Sequence, residues 1–159
     1  MKTKEIQELI CRKEVLALNP VCENLSYFLG HEMDVCSINK SGFITEYEVK
    51  ISKSDFIADS KKRKWKYFNS KMELYIPNYF YYVCPTGLII ESQIPEYAGL
   101  IYVEDNSLST IKKASLIHKH KHNRDKALTK FCKVLSQRQY LGSCLLTYKV
   151  KKLNETGTF

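Results

Sequence analysis

Three residues in the first third of the chain have the types and spacing of a site that acts on phosphodiesters. Asp34 lies in one strand-like run, and Glu48 and Lys50 lie in a second run beyond the turn sequence 39–42. Two adjoining strands would aim both carboxylates at one divalent cation, because hard cations prefer oxygen ligands. Lys50 would project beside Glu48, since alternate residues of a strand share a face.

This combination is suited to metal-dependent hydrolysis of a nucleic acid. A bound Mg²⁺ or Mn²⁺ activates water and relieves negative charge in the transition state. Asp34 and Glu48 would supply carboxylate ligands, the backbone carbonyl of Val49 would add another, and Lys50 would orient the attacking water or neutralise developing charge. Alone, Glu48 and Lys50 would indicate only a salt bridge on an exposed strand. The addition of Asp34 and the turn favours the metal site.

Hydrophobic periodicity predicts the elements that would position these residues. A first amphipathic helix is expected over 3–18, ended by Asn19-Pro20, and three antiparallel strands follow. The predicted strands are 24–29, 33–38, 43–51, 78–84, 99–103 and 108–111, and the later helices are about 52–69 and 123–138. In the third strand the odd-numbered positions are mostly apolar and are predicted to face the core, with Glu48 and Lys50 on the other face.

A basic run within the second predicted helix is typical of a nucleic-acid contact. The chain carries 25 Lys and Arg against 17 Asp and Glu, a net charge of +8, which favours an anionic partner. The residues predicted to contact a phosphate backbone are Lys61, Lys62, Arg63, Lys64 and Lys66. The alternative is that these cations form a solvent-exposed helix face without a role in binding. The position of the run directly after the carboxylates favours phosphate contact.

Two aspartates and a serine near this helix have structural explanations. Asp55 fits the first turn of a helix, where the helix dipole favours negative charge. Asp59 fits an ion pair with Lys62 or Arg63 one turn later. Both aspartates are therefore left outside the catalytic set, and Ser52 is either a helix cap or a phosphate contact.

Imidazoles and aromatic rings elsewhere offer weaker functional signals. His118, His120 and His122 would share one side of an extended strand, which suits a transition-metal site. A flexible basic loop near phosphate is the favoured alternative, because lysines alternate with the histidines. Stacking on unpaired bases is a further role, open to Trp65 and to the tyrosines at 79, 81 and 82. Core packing is favoured for at least two of those tyrosines.

The motifs together resemble a known nuclease family. They are Met33-Asp34-Val35, the turn at Ser41-Gly42, the run from Glu48 to Asp59, Lys64-Trp65 and Tyr67. This pattern is similar to the MmcB-like DNA repair nucleases of the PD-(D/E)XK superfamily, in the same order along most of the chain. One departure is Met33, which stands where the superfamily name has proline.

The resemblance implies an α/β fold with a restriction-endonuclease-like core, a mixed central β-sheet flanked by α-helices. It implies Asp34 and Glu48 as metal ligands, Lys50 as the catalytic lysine, and Mg²⁺ or Mn²⁺ as the cofactor. In many superfamily members a carboxylate from the first helix joins the site. Glu8 and Glu14 are the candidates here, and for each a solvated helix face is the alternative.

The expected function is a divalent-metal-dependent endonuclease that acts on branched or damaged DNA in repair or recombination. The alternatives are a catalytically inactive nucleic-acid-binding module on the same fold and an RNA-directed nuclease. Residues 1–152 are expected to form one domain and 153–159 a disordered tail. Without a predicted signal or membrane-spanning segment, the expected location is the cytoplasm, with DNA as partner and a homodimer as a compatible assembly.

Overall fold

A six-stranded mixed sheet forms the centre of the molecule. The computed structural model describes residues 2–26 and 28–156, and from residue 141 onward only the backbone is described. The strands are β1 (Val21–Ser26), β2 (Glu32–Ile38), β3 (Ile44–Val49), β4 (Tyr79–Pro85), β5 (Gly99–Glu104) and β6 (Ser107–Lys112). They lie in chain order across the sheet. The β3–β4 and β4–β5 pairs are parallel and the other pairs are antiparallel.

Helices cover both faces of this sheet. They are α1 (Thr3–Leu16), α2 (Lys53–Asp59), α3 (Lys64–Asn69) and α4 (Arg124–Thr156). The predicted α/β class with a mixed sheet and flanking helices is therefore confirmed. Among the described residues, no helix combines the length and the apolar character needed to cross a membrane.

Alternation along the strands divides the core between the two faces. On one face, Ile6 and Ile10 of α1 pack over Tyr47, Val49 and neighbouring strand residues. On the other face, α4 packs over β1 and β2 at one end, and α2 and α3 cover β4 and β5 at the other. The second face of β3, which carries Glu46 and Glu48, is thus buried as well.

The elements depart from the sequence prediction in three places. β1 begins at Val21, three residues before the predicted start. The helix predicted over 52–69 is two short helices separated by the turn 60–63. α4 is helical through residues 153–156, where a disordered tail was predicted, and 157–159 lie outside the described residues.

Candidate active site

The predicted trio lies where β2 and β3 separate. The β2–β3 ladder ends at the Val35–Tyr47 pair, so Asp34 and Glu48 stand one residue beyond it on neighbouring strands. The Asp34 carboxylate accepts a hydrogen bond from the backbone N–H of Val49 at 2.8 Å. The Lys50 ammonium donates to Glu48 Oε1 at 2.8 Å. The structure therefore brings Asp34, Glu48 and Lys50 into one neighbourhood, as their spacing predicts.

Glu48 is surrounded by three ammonium groups. Lys64 donates to its Oε2 at 2.6 Å, and Lys62 and Lys50 both contact its Oε1. Burial alone would raise the pKa of Glu48, but the charges of Lys64, Lys50 and Lys62 together hold it well below its usual range. Glu48 is therefore ionised and strongly paired.

Asp59 belongs to the same cluster, although the sequence analysis left it outside the catalytic set. Its Oδ1 accepts from Lys50 at 2.9 Å and its Oδ2 accepts from the Tyr82 hydroxyl at 3.0 Å. The predicted ion pair with Lys62 is present at 3.1 Å. Asp55 lies 3.5 Å from the Lys50 ammonium, and Ser52 caps α2 through a bond from Asp55 N–H. Three buried carboxylates (Glu46, Glu48, Asp59) thus form one ion-pair network with the buried amines of Lys50 and Lys64 and the half-exposed amine of Lys62.

Asp34 lies beside this network of ion pairs, and its charge is less well compensated. Its burial and then the nearby negative charge of Glu48 raise its pKa to about 6, against the opposing effects of the Val49 N–H, Lys62 and Lys50. The fold therefore keeps a partly buried carboxylate whose charge is not fully compensated by the protein. A cation beside Asp34 would supply the missing compensation.

The first helix contributes no carboxylate to this side of the sheet. Glu14 accepts from the Tyr47 hydroxyl at 2.5 Å and from Asn19 at 2.9 Å. Tyr47 and Glu48 are consecutive in β3, so they point to opposite faces. Glu8 is exposed on α1. The contact of this helix with Asp34 is made by Gln7, which donates to the Asp34 backbone carbonyl at 3.2 Å.

The residues present fit a divalent cation that also uses backbone and water ligands. Asp34 and Glu48 offer hard carboxylate oxygens, which suit Mg²⁺ or Mn²⁺. Within residues 2–26 and 28–140, no group of three or more His, Cys, Asp or Glu side chains has a geometry that could hold a metal ion. Lys62 contacts Glu48 Oε1 with a side chain that is 46% exposed, so this amine can move into solvent and leave Lys50 as the cation on that oxygen.

The basic run divides into exposed and buried members. Lys61, Arg63 and Lys66 are exposed, whereas Lys64 is only 1% exposed and its amine contacts Glu48 and Glu46. Lys64 therefore differs from the expectation of a phosphate contact: its ammonium is committed to buried carboxylates. The helix break at 60–63 turns this side chain inward.

A cavity of about 470 Å³ opens beside the cluster. It lies between the start of β2 and the turn that leads into α3. Its walls are formed by Gly30, His31, Glu32, Asp34, Lys62, Arg63 and Lys64. The cavity joins a predicted metal ligand to three basic side chains, which suits an anionic group bound next to Asp34.

Other predicted contacts have structural roles. Tyr82 is buried, and Trp65 packs edge-on against Phe80 while its indole donates to the Asp59 carbonyl at 2.5 Å. The rings of His118, His120 and His122 lie 5.2–6.3 Å apart, but within the described part of the chain they do not form a group that could hold a metal ion. His118 instead contacts the Ile76 carbonyl at 3.0 Å, which anchors the segment 113–123.

Comparison with known proteins supports the fold. No family model and no curated protein matches the sequence. Among solved structures, the chain is similar to the SPO1766 protein of unknown function from Silicibacter pomeroyi, with a TM-score of 0.67 and 16% identity. The match covers 89% of this chain and 90% of that chain. At this identity the likeness shows a shared fold, and any activity has to be argued from the site.

Proposed function

We propose that this chain is a Mg²⁺- or Mn²⁺-dependent nuclease that hydrolyses DNA phosphodiester bonds, with a PD-(D/E)XK-type site on a restriction-endonuclease-like core. One observation carries the proposal: Asp34 and the Glu48–Lys50 pair converge where β2 and β3 separate, next to a cavity with basic walls. The proposed substrates are branched or damaged DNA, met in repair or recombination in the cytoplasm. A homodimer is compatible with this role.

The charge state of Asp34 supports a functional rather than a structural role. A pKa raised to about 6 means that the ionised side chain costs folding free energy at neutral pH. Carboxylates with such perturbed pKa values concentrate at functional sites. A bound cation would stabilise the ionised Asp34 carboxylate and so offset this cost.

Each residue of the site has a defined task in the proposed hydrolysis. The ion would be held by Asp34, Glu48 and the Val49 carbonyl, and when bound it would supply an activated water and charge relief at the phosphate. Lys50 is fixed between Glu48 and Asp59, so its ammonium is positioned as a donor toward the water or the phosphate. The exposed Lys61, Arg63 and Lys66 would contact the backbone of the substrate.

A specific observation favours the rival function, an inactive nucleic-acid-binding module. Both carboxylate oxygens of Glu48 are already engaged by ammonium groups, with no cation required for charge balance. Such a cluster would hold the fold together without turnover. The nuclease hypothesis requires Lys62 to leave Glu48 when the ion binds, which its exposure permits.

Cleavage assays distinguish these functions. The purified chain would be incubated with Mn²⁺ and supercoiled plasmid, a Holliday junction, a flap, single-stranded DNA and RNA. We expect cleavage of at least one DNA, and loss of cleavage by at least about 100-fold in Asp34→Asn and Lys50→Ala, with binding largely retained. Asp105→Asn, in the β5–β6 turn, is the matched control and should cut normally.

The remaining outcomes contradict the proposal in different ways. Binding without cleavage of any substrate would establish the inactive module. Cleavage of RNA alone would identify an RNA-directed enzyme. Cleavage by Asp34→Asn at the parental rate would show that the site is assigned to the wrong residues.

A further inference from the structure

His31 and Glu46 form a buried pair that the proposed nuclease site does not use. His31 Nε2 lies 2.8 Å from Glu46 Oε2. Their residues are 7% and 0% exposed. An ionised carboxylate only accepts hydrogen bonds, so the proton of the neutral imidazole lies on Nε2. Glu46 therefore fixes the ring orientation and leaves the lone pair on Nδ1.

That second nitrogen has no hydrogen-bond partner among the residues that the structure describes. His31 Nδ1 is buried and makes no hydrogen bond within the described part of the chain. Leaving a buried acceptor unsatisfied destabilises the fold, so such groups are rare in folded proteins and call for an explanation. A water or ligand proton that arrives at Nδ1 would remove the cost.

His31 borders the cavity that would supply such a proton. His31 lines the 470 Å³ cavity together with Asp34, Lys62 and Arg63. The other ionisable groups of the cavity wall are carboxylates, amines and a guanidinium. Because amines and guanidinium groups stay protonated at neutral pH, the imidazole is the nitrogen group among the lining residues whose chemistry suits proton transfer.

We propose that His31, held by Glu46, is the general base of the hydrolysis, an inference that rests on the proposed nuclease function. Once substrate binding exposes Nδ1 to the cavity, Nδ1 takes a proton from water as the water oxygen forms a bond to phosphorus. The bond from phosphorus to the leaving sugar oxygen breaks, and that oxygen takes a proton from a second water. His31 then returns its proton to solvent. Lys50, bonded to two carboxylates, remains protonated as a donor.

Charged and aromatic groups from several elements surround His31. Glu46 of β3 contacts the ring, and Lys64 of α3 approaches the same carboxylate at 3.4 Å. The Tyr67 ring lies 6.5 Å away between centroids. Asp34 of β2 and the cations of the turn 60–63 share the cavity wall.

The test compares His31→Ala with His120→Ala, a matched control outside the cavity. For His31→Ala we expect a cleavage rate about 10²–10⁴-fold lower, near-parental DNA binding and a flattened acidic limb. Added imidazole should restore part of the rate. Glu46→Gln should also slow cleavage, because a donating amide would favour the tautomer with the proton on Nδ1. Retained folding of each variant is checked by urea unfolding, and imidazole rescue of His31→Ala suffices if Glu46→Gln does not fold.

Two failures can be told apart. If the parental chain cuts no nucleic acid, the proposed function fails and this inference falls with it. If the parental chain cuts DNA and His31→Ala keeps the parental rate and pH profile, only the role of His31 is overturned. A slowed His31→Ala that imidazole does not rescue, with an unchanged pH profile, would make the histidine a structural residue.

Discussion

At the scale of single residues, two neighbouring carboxylates have pKa values that are shifted in opposite directions. Glu48 is stabilised as an anion by Lys64, Lys50 and Lys62, and its pKa is lowered. Asp34 is partly buried beside that anion, and its pKa is raised to about 6. Ionised Glu48 therefore stabilises the folded state, whereas ionised Asp34 destabilises it. This contrast supports Asp34 as the residue retained for function.

The cost of Asp34 gives a prediction about stability. Its pKa rises from 3.8 in the unfolded chain to about 6 in the folded one. The folded state therefore binds the proton more tightly, and stability falls as pH rises from about 4 to 6. Asp34→Asn keeps an acceptor for the Val49 N–H and should raise the free energy of unfolding at pH 8 by about 1–3 kcal/mol.

Urea denaturation at pH 8 and pH 4 checks this prediction. The gain should shrink toward zero at pH 4, where Asp34 is largely protonated in the folded protein. Asp105→Asn, at an exposed turn, controls for loss of a charge alone and should change stability by less than about 0.5 kcal/mol. Destabilisation of Asp34→Asn at pH 8 would mean that the carboxylate is already well compensated.

Part of the site was predictable from residue types, and part was not. The Asp34, Glu48 and Lys50 set follows from strand alternation and one turn, which are local properties. Asp59 and Lys64 join the cluster only because the chain turns at 60–63, which the continuous helical pattern concealed. Glu46 shares the face of Glu48 by alternation, but its partner His31 comes from a loop without a periodic signal.

At the scale of elements, the break between α2 and α3 shapes the cluster. α2 ends after Asp59 and α3 begins at Lys64, so both side chains turn toward β3. The Lys64 amine also lies over the Phe80 ring at 4.7 Å. In one straight helix over the same residues, part of these charged side chains would point into solvent. The break therefore converts a surface run into a buried network.

Removal of one buried partner should be costly. Lys64→Met keeps the length of the side chain but leaves Glu48 and Glu46 short of a cation. We expect a loss of about 3–5 kcal/mol in the free energy of unfolding. Lys66→Met, on the exposed side of α3, should change it by less than about 0.5 kcal/mol. Equal stability of the two variants by urea denaturation would refute the structural role of Lys64.

The segment 113–123 is held to the sheet by polar contacts. Asn78 Nδ2 donates to the carbonyls of His118 and His120, and its Oδ1 accepts from the Ile44 N–H. Gly42 approaches the segment closely, because a Cβ there would lie 2.9 Å from the His122 carbonyl oxygen. Residues 113–123 thus form an irregular segment, in line with the loop interpretation, that is fixed to the sheet by these contacts.

His122 should make this segment sensitive to acid. Burial, followed by the charges of His118 and His120, lowers its pKa from 6.5 to about 4. Its contribution to stability is complete above pH 6.5 and is lost as pH falls toward 4, by up to about 3 kcal/mol. His122→Gln should remove this part of the acid dependence, measured by urea unfolding at pH 7.5, 5.5 and 4. An unchanged pH dependence relative to the parental chain, or the same effect in His120→Gln, would contradict it.

At the scale of the whole molecule, the element types were more predictable than their arrangement. Apolar alternation and turn residues located the strands around 33–38, 78–84 and 99–103 to within a few residues. Strand order depends on contacts between distant segments, such as the parallel pairing of β3 with β4. The break at 60–63 has no comparable local signal, since helix-forming residues continue through it.

The net charge of +8 gives a prediction for binding. Affinity for DNA should fall linearly with salt on a double-logarithmic plot, with a slope set by the number of phosphates contacted. Lys61→Ala combined with Lys66→Ala should reduce that slope by about 2 units. Lys4→Ala, on α1 over the opposite face of the sheet, should leave it unchanged. A slope insensitive to the double substitution would place the DNA elsewhere.

The central claim is that Asp34 and Glu48 hold a divalent cation where β2 and β3 separate. Titration of the chain with Mn²⁺, followed by the electron paramagnetic resonance signal of the free ion, tests it without a choice of substrate. The account predicts that about one Mn²⁺ binds per parental chain and that Asp34→Asn loses this binding while it stays folded. A parental chain that binds no Mn²⁺, or an Asp34→Asn variant that binds it equally well, would contradict the account.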